Sequence, residues 1–231
     1  MADRPKGAEG VKEFFWLFHQ IVHLALWLML MLCFAIAADL VAAHYVWTDD
    51  PVSGIQDLIQ FYIDQSTAPD LSARAAQLTY DAMFGWNGVD RAARNAALGI
   101  TSGGAFSEHI SEMLFTGNLR PYTIVAMYGA KLFGVRAAML AMVLPQFGLI
   151  LLLALVDGLV ARYVRRACGG NESATLFHRA KRWTTMGLVP LVMLVWLVAP
   201  VPLYVHWLFF PVVLAAAAAV WMMARFYKKY L

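Results

Sequence analysis

Asp157 is the acidic residue whose position in this 231-residue chain most suggests a chemical role. It directly follows an apolar stretch, residues 137–156, that is long enough to cross a bilayer. A carboxylate at that depth is usually paired, and Lys181 or Arg182, at the start of the next apolar stretch, is a suitable partner. Asp157 could serve a proton or ion relay, or it could be a structural carboxylate that fixes the following loop. The structural interpretation is favoured because no second acid accompanies Asp157 within the apolar stretches.

The other residues that could carry chemistry form no recognisable site. His19 and His23 are four residues apart and share one helix face, but zinc needs three or four ligands and no nearby Glu or Cys completes the set. The sequence contains no phosphate-binding loop, serine-hydrolase elbow, zinc-protease motif or CxxC pair. It therefore predicts no catalytic residue, no metal site and no cofactor, and we expect a protein that is not an enzyme.

Four stretches of the chain are almost free of charge: residues 14–38, 137–156, 186–201 and 203–224. Each is close to the ~20 residues that a helix needs to cross a hydrocarbon core, although the third is slightly short. Apolar residues make up 61% of the chain and charged residues 14%, against ~45–50% and ~25% in soluble domains. The sequence predicts an all-α fold, a polytopic inner-membrane bundle of four transmembrane helices with a small helical extracytoplasmic domain.

The charge pattern divides the chain into three regions. Residues 1–46 form an N-terminal tail and the first transmembrane helix. Residues 47–120 contain nine acidic and four basic residues without period-two alternation, which favours a helical periplasmic domain. Residues 121–231 form an interfacial helix and transmembrane helices two to four, with a basic cytoplasmic loop at 162–182.

Prolines and apolar spacing predict two helices at the start of the acidic region. Pro51 can open a helix at its first position, with an apolar stripe at Ile55, Leu58, Ile59, Tyr62 and Ile63. Pro69 should end that segment, and Asp70 or Ser72 should cap the next helix. The stripe expected on this second helix is Ala75, Leu78, Thr79, Ala82 and Met83.

Residues 121–136 allow two interpretations. Lys131 and Arg136 interrupt an apolar run, which favours an interfacial helix that continues into the second span. The alternative is one long span that starts near Tyr122. A single helix from Tyr122 to Ala167 would be ~69 Å long, so part of it must protrude or bend, with Gly134 and Pro145 as bend sites.

Basic residues predict the orientation in the membrane. The N-terminal tail, the 162–182 loop and the C-terminus hold twelve of the eighteen Lys and Arg residues, and four spans place all three on one side. Short basic segments are retained in the cytoplasm. Both termini are therefore predicted to be cytoplasmic. Five spans would export the six basic residues of the loop.

The basic loop carries a pattern specific enough to resemble a known family. Its residues are Asp157-Gly158, Arg162, Arg165-Arg166, Gly169-Gly170, Asn171-Glu172-Ser173, Phe177-His178-Arg179 and Lys181. This pattern resembles the signature of the integrating-conjugative-element membrane proteins, a domain of unknown function associated with the coupling proteins of conjugative type IV secretion. The resemblance implies an inner-membrane component or accessory of an apparatus for DNA transfer, and it implies no catalytic residue.

Two function classes follow. The favoured class is a structural and interaction protein that docks other membrane subunits and a cytoplasmic partner, such as the coupling ATPase. Its expected docking loop contains Asp157, Arg162, Arg165, Arg166, Glu172, His178, Arg179 and Lys181. Direct binding of nucleic acid is not expected, because retention in the cytoplasm already explains the basic residues; a homo-oligomer is left open. The alternative class is a small transporter or membrane enzyme that uses Asp157 in a polar intramembrane site.

Overall fold

The computed structural model describes residues 7–85, 89–91, 93, 119–168 and 189–226. This part of the chain is helical and contains no strand, as the sequence predicts. Its principal helices are α1 (Gly7–Tyr45), α2 (Pro51–Gln65), α3 (Pro69–Tyr80), α4 (Arg120–Ala167), α5 (Val189–Val198) and α6 (Val205–Phe226). A single π-helical turn, Asp81–Gly85, follows α3.

Three of the helices described are long and apolar enough to cross a membrane. They cover Phe15–Tyr45, Arg120–Ala167 and Val205–Phe226. Helix α5 has ten residues, and residues 169–188, which precede it, lie outside the described part of the chain. The fourth span therefore stays a prediction, as does the sidedness of the bundle.

Local sequence explains where α2 begins. The Asp50 carboxylate accepts hydrogen bonds from the backbone N–H groups of Val52 (3.1 Å) and Ser53 (3.3 Å), and Pro51 occupies the first turn. This cap satisfies two amides that have no partner within the helix. The predicted start and the predicted stripe are confirmed, because Ile55, Leu58 and Tyr62 are buried.

The predictions for α3 were wrong at its cap and at its buried face. The helix begins at Pro69 with Ala68 as the N-cap, because proline is suited to the first helical position. Asp70 therefore lies in the first turn, and the Ser72 hydroxyl is hydrogen-bonded to that of Ser66 at 2.7 Å. The buried side chains are Ser72, Ala76 and Tyr80, whereas Leu78 is 70% exposed.

Close packing against α4 explains which face of α3 is buried. A Cβ atom at Gly134 would lie 2.6 Å from the Ala75 carbonyl oxygen and 2.8 Å from the Ala76 Cα. The two backbones can approach this closely only if small residues face each other. The helix therefore buries its small residues against α4 and leaves Leu78 outside.

Helix α4 is one element of 48 residues, ~72 Å long at ~1.5 Å per residue. Residues 120–136 belong to this helix and run into the second span without a break, as both interpretations of this segment require. Whether residues 120–136 lie at the membrane surface or within the span stays a prediction. Most of the buried residues of α4 lie between Val125 and Met139. This part packs against α2, α3 and the end of α1, where the His44 ring nitrogen lies 3.2 Å from the Tyr122 hydroxyl.

The second half of α4 runs parallel to α6. The Phe147 ring lies 5.6 Å from that of Phe209, and further along a Cβ at Gly158 would lie 2.7 Å from the Ala224 Cβ. Helix α5 runs in the opposite direction and joins α6 through residues 199–204, which we call the hairpin. The bundle thus has a hairpin end and, at Arg162–Arg166 and Arg225, a basic end.

Arg136 holds the hairpin from inside the protein. Its side chain is 1% exposed, and its guanidinium donates to the carbonyl oxygens of Ala199 (2.7 Å) and Leu197 (3.3 Å). These carbonyls lie at the end of α5, where helical partners run out and a cation is favoured by the helix dipole. The Trp196 indole N–H in turn donates to the Arg136 carbonyl at 3.1 Å.

Tyr62 connects Arg136 and the hairpin to α2. Its hydroxyl donates to the Val201 carbonyl oxygen (2.8 Å) and accepts from the Leu203 amide (3.0 Å), while Arg136 lies 4.7 Å above its ring. We call Tyr62, Arg136, Trp196 and the hairpin backbone the polar cluster. It joins α2, α4 and the hairpin through direct hydrogen bonds.

We expect Gly134→Ala to destabilise the protein, because its methyl group would meet the backbone of α3. The expected loss is about 1–3 kcal/mol, as for other overpacked sites, measured as a lower unfolding midpoint in mild detergent. Gly148→Ala is the matched control, since a Cβ there meets nothing within 4 Å. Equal midpoints for the two variants would contradict the close contact between α3 and α4.

We expect Arg136→Met to lower stability by about 2–4 kcal/mol, because buried carbonyls lose a charged donor. Arg136→Lys should recover only part of this loss, since an ammonium lacks the fork that reaches two carbonyls. Arg120→Met, at an exposed position of the same helix, is the control. Unfolding midpoints in detergent compare the three variants, and an unchanged midpoint for Arg136→Met would show that the polar cluster is dispensable.

Candidate partner-docking surface

Asp157 lies on the exposed side of α4 near the basic end. Its Oδ2 atom accepts a hydrogen bond from the Trp221 indole N–H of α6 at 2.7 Å. The cationic partners expected from the sequence, Lys181 and Arg182, lie outside the described residues. The partner that the structure shows is therefore neutral, which fits a structural carboxylate that fastens α4 to α6.

Gly158 brings the two helices close enough for this bond. A Cβ at Gly158 would lie 2.7 Å from the Trp221 carbonyl oxygen and 3.2 Å from its Cα. Only glycine leaves room for the α6 backbone at this point. The Asp157-Gly158 pair thus has a structural explanation. Gly158 lets the α6 backbone at Trp221 approach α4, and Asp157 accepts a hydrogen bond from the side chain of that same tryptophan.

Arginines and aromatic rings alternate at the same end of the bundle. The Arg225 guanidinium lies 4.8 Å from the centre of the Trp221 ring and 5.5 Å from that of Phe226. The Arg165 guanidinium, from α4, lies 4.7 Å from the Phe226 ring. Cation–π contacts of this kind hold a guanidinium in place.

We call Arg162, Arg165, Arg166 and Arg225 the basic surface. Arg162, Arg165 and Arg225 are half-buried and Arg166 is exposed, so the surface is partly built into the walls of α4 and α6. Three of its members, Arg162, Arg165 and Arg166, were predicted as docking residues. The structure places Arg165 against the same ring as Arg225, that of Phe226. The remaining predicted residues, Glu172, His178, Arg179 and Lys181, lie outside the residues that the structure describes.

Two aromatic residues in contact with the basic surface were missed by the sequence analysis. Trp221 and Phe226 were not predicted as site residues, because aromatic side chains are common near membrane surfaces. The available signal was their spacing from Arg225, which places all three on the last two turns of the final helix. Their contact with Arg165 and Asp157 depends on α4 and α6 being parallel, which the sequence does not reveal.

Asp39 is a second acidic residue that the sequence analysis did not single out. It is 1% exposed, and neither carboxylate oxygen has a hydrogen-bond partner. Its Oδ2 would lie only 2.8 Å from a Cβ at Gly129, so the carboxylate rests against the backbone of α4. Asp39 therefore lies inside the contact between α1 and α4. The part of the chain described here has no group of three or more His, Cys, Asp or Glu side chains that could hold a metal ion.

Comparison with protein families gives the chain a context. A model of the family described as "IncC plasmid conjugative DNA transfer protein DtrJ-like" matches residues 53–228, from α2 to the end of α6. Searches of curated proteins and of solved structures found no match. The family description confirms the association with conjugative DNA transfer that the loop pattern implied. Because the match spans well over half of the sequence, the chain belongs to the DtrJ-like family of conjugative DNA transfer proteins.

Proposed function

We propose that this protein is a non-enzymatic inner-membrane subunit of a conjugative type IV secretion apparatus. In this proposal the basic surface and the loop that follows α4 dock a cytoplasmic partner, the coupling ATPase. The observation that carries it is the arginine–aromatic arrangement at the basic end, where Arg165 and Arg225 lie against Phe226 and Trp221. Membership of the DtrJ-like family supports the process, DNA transfer, to which the docking belongs.

The fixed arginines suit a protein partner with acidic side chains. Arginine is enriched at protein interfaces, and its planar fork pairs with a carboxylate through two parallel hydrogen bonds. A guanidinium held by an aromatic ring loses less conformational entropy when a partner binds. The basic surface is therefore better prepared for binding than a set of freely rotating lysines.

The proposed orientation follows from the distribution of charge. The basic end holds Arg162, Arg165, Arg166 and Arg225, and these residues belong to two of the three sequence segments that are rich in Lys and Arg. Short segments of this kind remain in the cytoplasm. The opposite end carries α2 and α3, which belong to the acidic region between residues 47 and 120. With four spans, the coupling ATPase meets the basic end, and α2 and α3 lie on the periplasmic side.

The alternative function, a small transporter or membrane enzyme centred on Asp157, receives less support. A relay needs a carboxylate in a polar cavity with several polar neighbours. Asp157 is exposed, and it accepts its hydrogen bond from Trp221 at a tight contact between two helices. This arrangement favours a structural role for Asp157.

We expect Arg165→Gln/Arg225→Gln to lose most co-purification of the coupling ATPase and most DNA transfer, because two fixed cations are removed while the fold is kept. Arg74→Gln/Arg120→Gln removes the same charge from exposed positions at the other end and should behave like the wild type. Pull-down in mild detergent and transfer frequency are the two measurements. Wild-type values for the first variant, inserted at normal levels, would disprove docking at the basic surface.

We expect the two ends of the bundle to react with thiol reagents from opposite sides of the membrane. Cys33 and Cys168 are both free and exposed. Cys33→Ser leaves Cys168 as a reporter of the basic end, and Asp49→Cys in a chain without either cysteine reports the other end. An impermeant maleimide should label Asp49→Cys, and spare Cys168, in intact spheroplasts; the reverse pattern would overturn the orientation.

A further inference from the structure

Helix α1 is attached to the bundle by one face of its last part. From Phe15 to Leu30 its side chains are exposed, apart from the half-buried Trp27. The buried side chains follow at helical spacing and are Met31, Leu32, Ala35, Asp39, Ala42 and Ala43. Asp39 is the ionisable member of this set. The attachment of α1 therefore depends on how a buried carboxyl group is accommodated.

The Asp39 carboxyl group lies against main-chain atoms of α4. A Cβ at Gly129 would lie 2.8 Å from Asp39 Oδ2 and 3.5 Å from Ile36 Cγ1, so α1 meets the α4 backbone directly at this point. The carboxyl group is 1% exposed, and neither of its oxygens has a hydrogen-bond partner. An ionised carboxylate buried in this way is unfavourable, because it loses its hydration and gains no donor in exchange.

Arg136 is the buried cation on the same side of α4 as Gly129, two turns further along the helix. Its two Nη groups donate to carbonyl oxygens at the end of α5 and to the Tyr62 hydroxyl. None of these hydrogen bonds reaches Asp39. A buried ion pair compensates for lost hydration only when hydrogen bonds also satisfy its lone pairs. The charge of Arg136 therefore does not replace the donors that an ionised Asp39 needs.

The other ionisable groups of the elements that pack against α1, which are α2, α4 and α5, are engaged elsewhere. Helix α5 has no ionisable side chain, and α2 buries Tyr62 while its acidic residues are exposed. On α4, the Lys131 ammonium group lies over the rings of two tyrosines. The Tyr122 hydroxyl lies 3.2 Å from the ring nitrogen of His44, the next ionisable residue of α1. Within the part of the chain that the structure describes, no donor contacts the Asp39 oxygens.

We propose that Asp39 is a proton-binding site that is occupied when α1 packs against α4, and that loss of the proton loosens this contact. With its proton the carboxyl group is neutral, and its hydroxyl becomes a donor for which a backbone carbonyl has a second lone pair. Without the proton, a carboxylate faces the α4 backbone with no donor, so the end of α1 moves away from Gly129. Raising the pH therefore weakens the attachment of α1. The proposal depends on neither the orientation of the bundle nor the partner at the basic end.

Infrared spectroscopy of the full chain in mild detergent tests for the proton. Carboxyl groups in contact with water are ionised at neutral pH, so the carbonyl stretching band of a protonated carboxyl group should come from Asp39. We expect this band to be lost in Asp39→Asn and kept in Asp57→Asn, whose carboxylate is exposed on α2. Gly129→Ala should shift the band, because its methyl group meets Asp39 Oδ2. Gly148→Ala, where a Cβ meets nothing within 4 Å, should leave it unchanged.

Distances between two spin labels test whether the proton controls the contact between α1 and α4. Val41→Cys on α1 and Leu144→Cys on α4, both exposed positions, carry the labels in a chain without its two native cysteines. The distance should lengthen as the pH is raised through the range in which the infrared band disappears. It should stay unchanged in Asp39→Asn, which is neutral at every pH. His44→Gln should keep the lengthening, which separates the effect from titration of the nearby imidazole.

Absence of the band from the wild type at neutral pH would show that Asp39 is ionised and would overturn the site. A band that survives in folded Asp39→Asn belongs to another residue, which equally rejects the proposal. If Asp39→Asn does not fold, the glycine pair decides, and an unshifted band in folded Gly129→Ala counts against Asp39. A constant label distance while the band is titrated away, or a band that persists until the chain unfolds, would show that the proton does not control the attachment of α1.

Discussion

The buried guanidinium of Arg136 is the interaction on which the hairpin end depends. Where α5 stops, the Leu197 carbonyl has no helical amide to accept from, and Pro200 and Pro202 offer no N–H group. The Ala199 carbonyl accepts from the Val201 amide at 2.9 Å and has a second lone pair to satisfy. In a low-dielectric environment such carbonyls need another donor, and Arg136 supplies one from inside the protein. Tyr62 serves the remaining hairpin groups at Val201 and Leu203. The position of α5, the start of α6 and the attachment of α2 all follow from this one arrangement.

The sequence predicts those features of the fold that depend on neighbours along the chain. Charge-free stretches indicate the long helices, and the Asp50-Pro51 pair indicates the start of α2, because each signal lies within the element it describes. The buried face of α3 could not be predicted in the same way. That face is determined by the contact with Gly134, more than fifty residues later in the chain. Hydrophobic spacing alone predicts that Leu78 is buried in preference to Ala76, and the structure shows the opposite. The arginines of the basic surface were visible in the sequence, but their aromatic partners depend on how α4 meets α6.

Two acidic residues at different contacts of α4 differ in burial and in hydrogen-bond partners. Asp157 stands beside Gly158, is exposed, and accepts a hydrogen bond from the Trp221 indole. Asp39 comes from α1 and rests on the backbone at Gly129 without any donor. Both contacts depend on a glycine in α4, Gly129 or Gly158. Because glycine has no side chain, the neighbouring helix can approach the α4 backbone. The sequence analysis considered Asp157 and not Asp39, because an acidic residue directly after the first apolar stretch is typical of the end of a transmembrane helix.

The continuity of α4 has a mechanical consequence. One uninterrupted helix carries the contacts with α3 near its start and the arginines Arg162, Arg165 and Arg166 near its end. A rod of ~72 Å that tilts by ~5° about its midpoint moves each end by ~3 Å in opposite directions. That displacement approaches the length of a hydrogen bond, so a partner that pulls on one end would alter contacts at the other. Any such tilt of α4 would therefore couple the contacts at the two ends of the bundle.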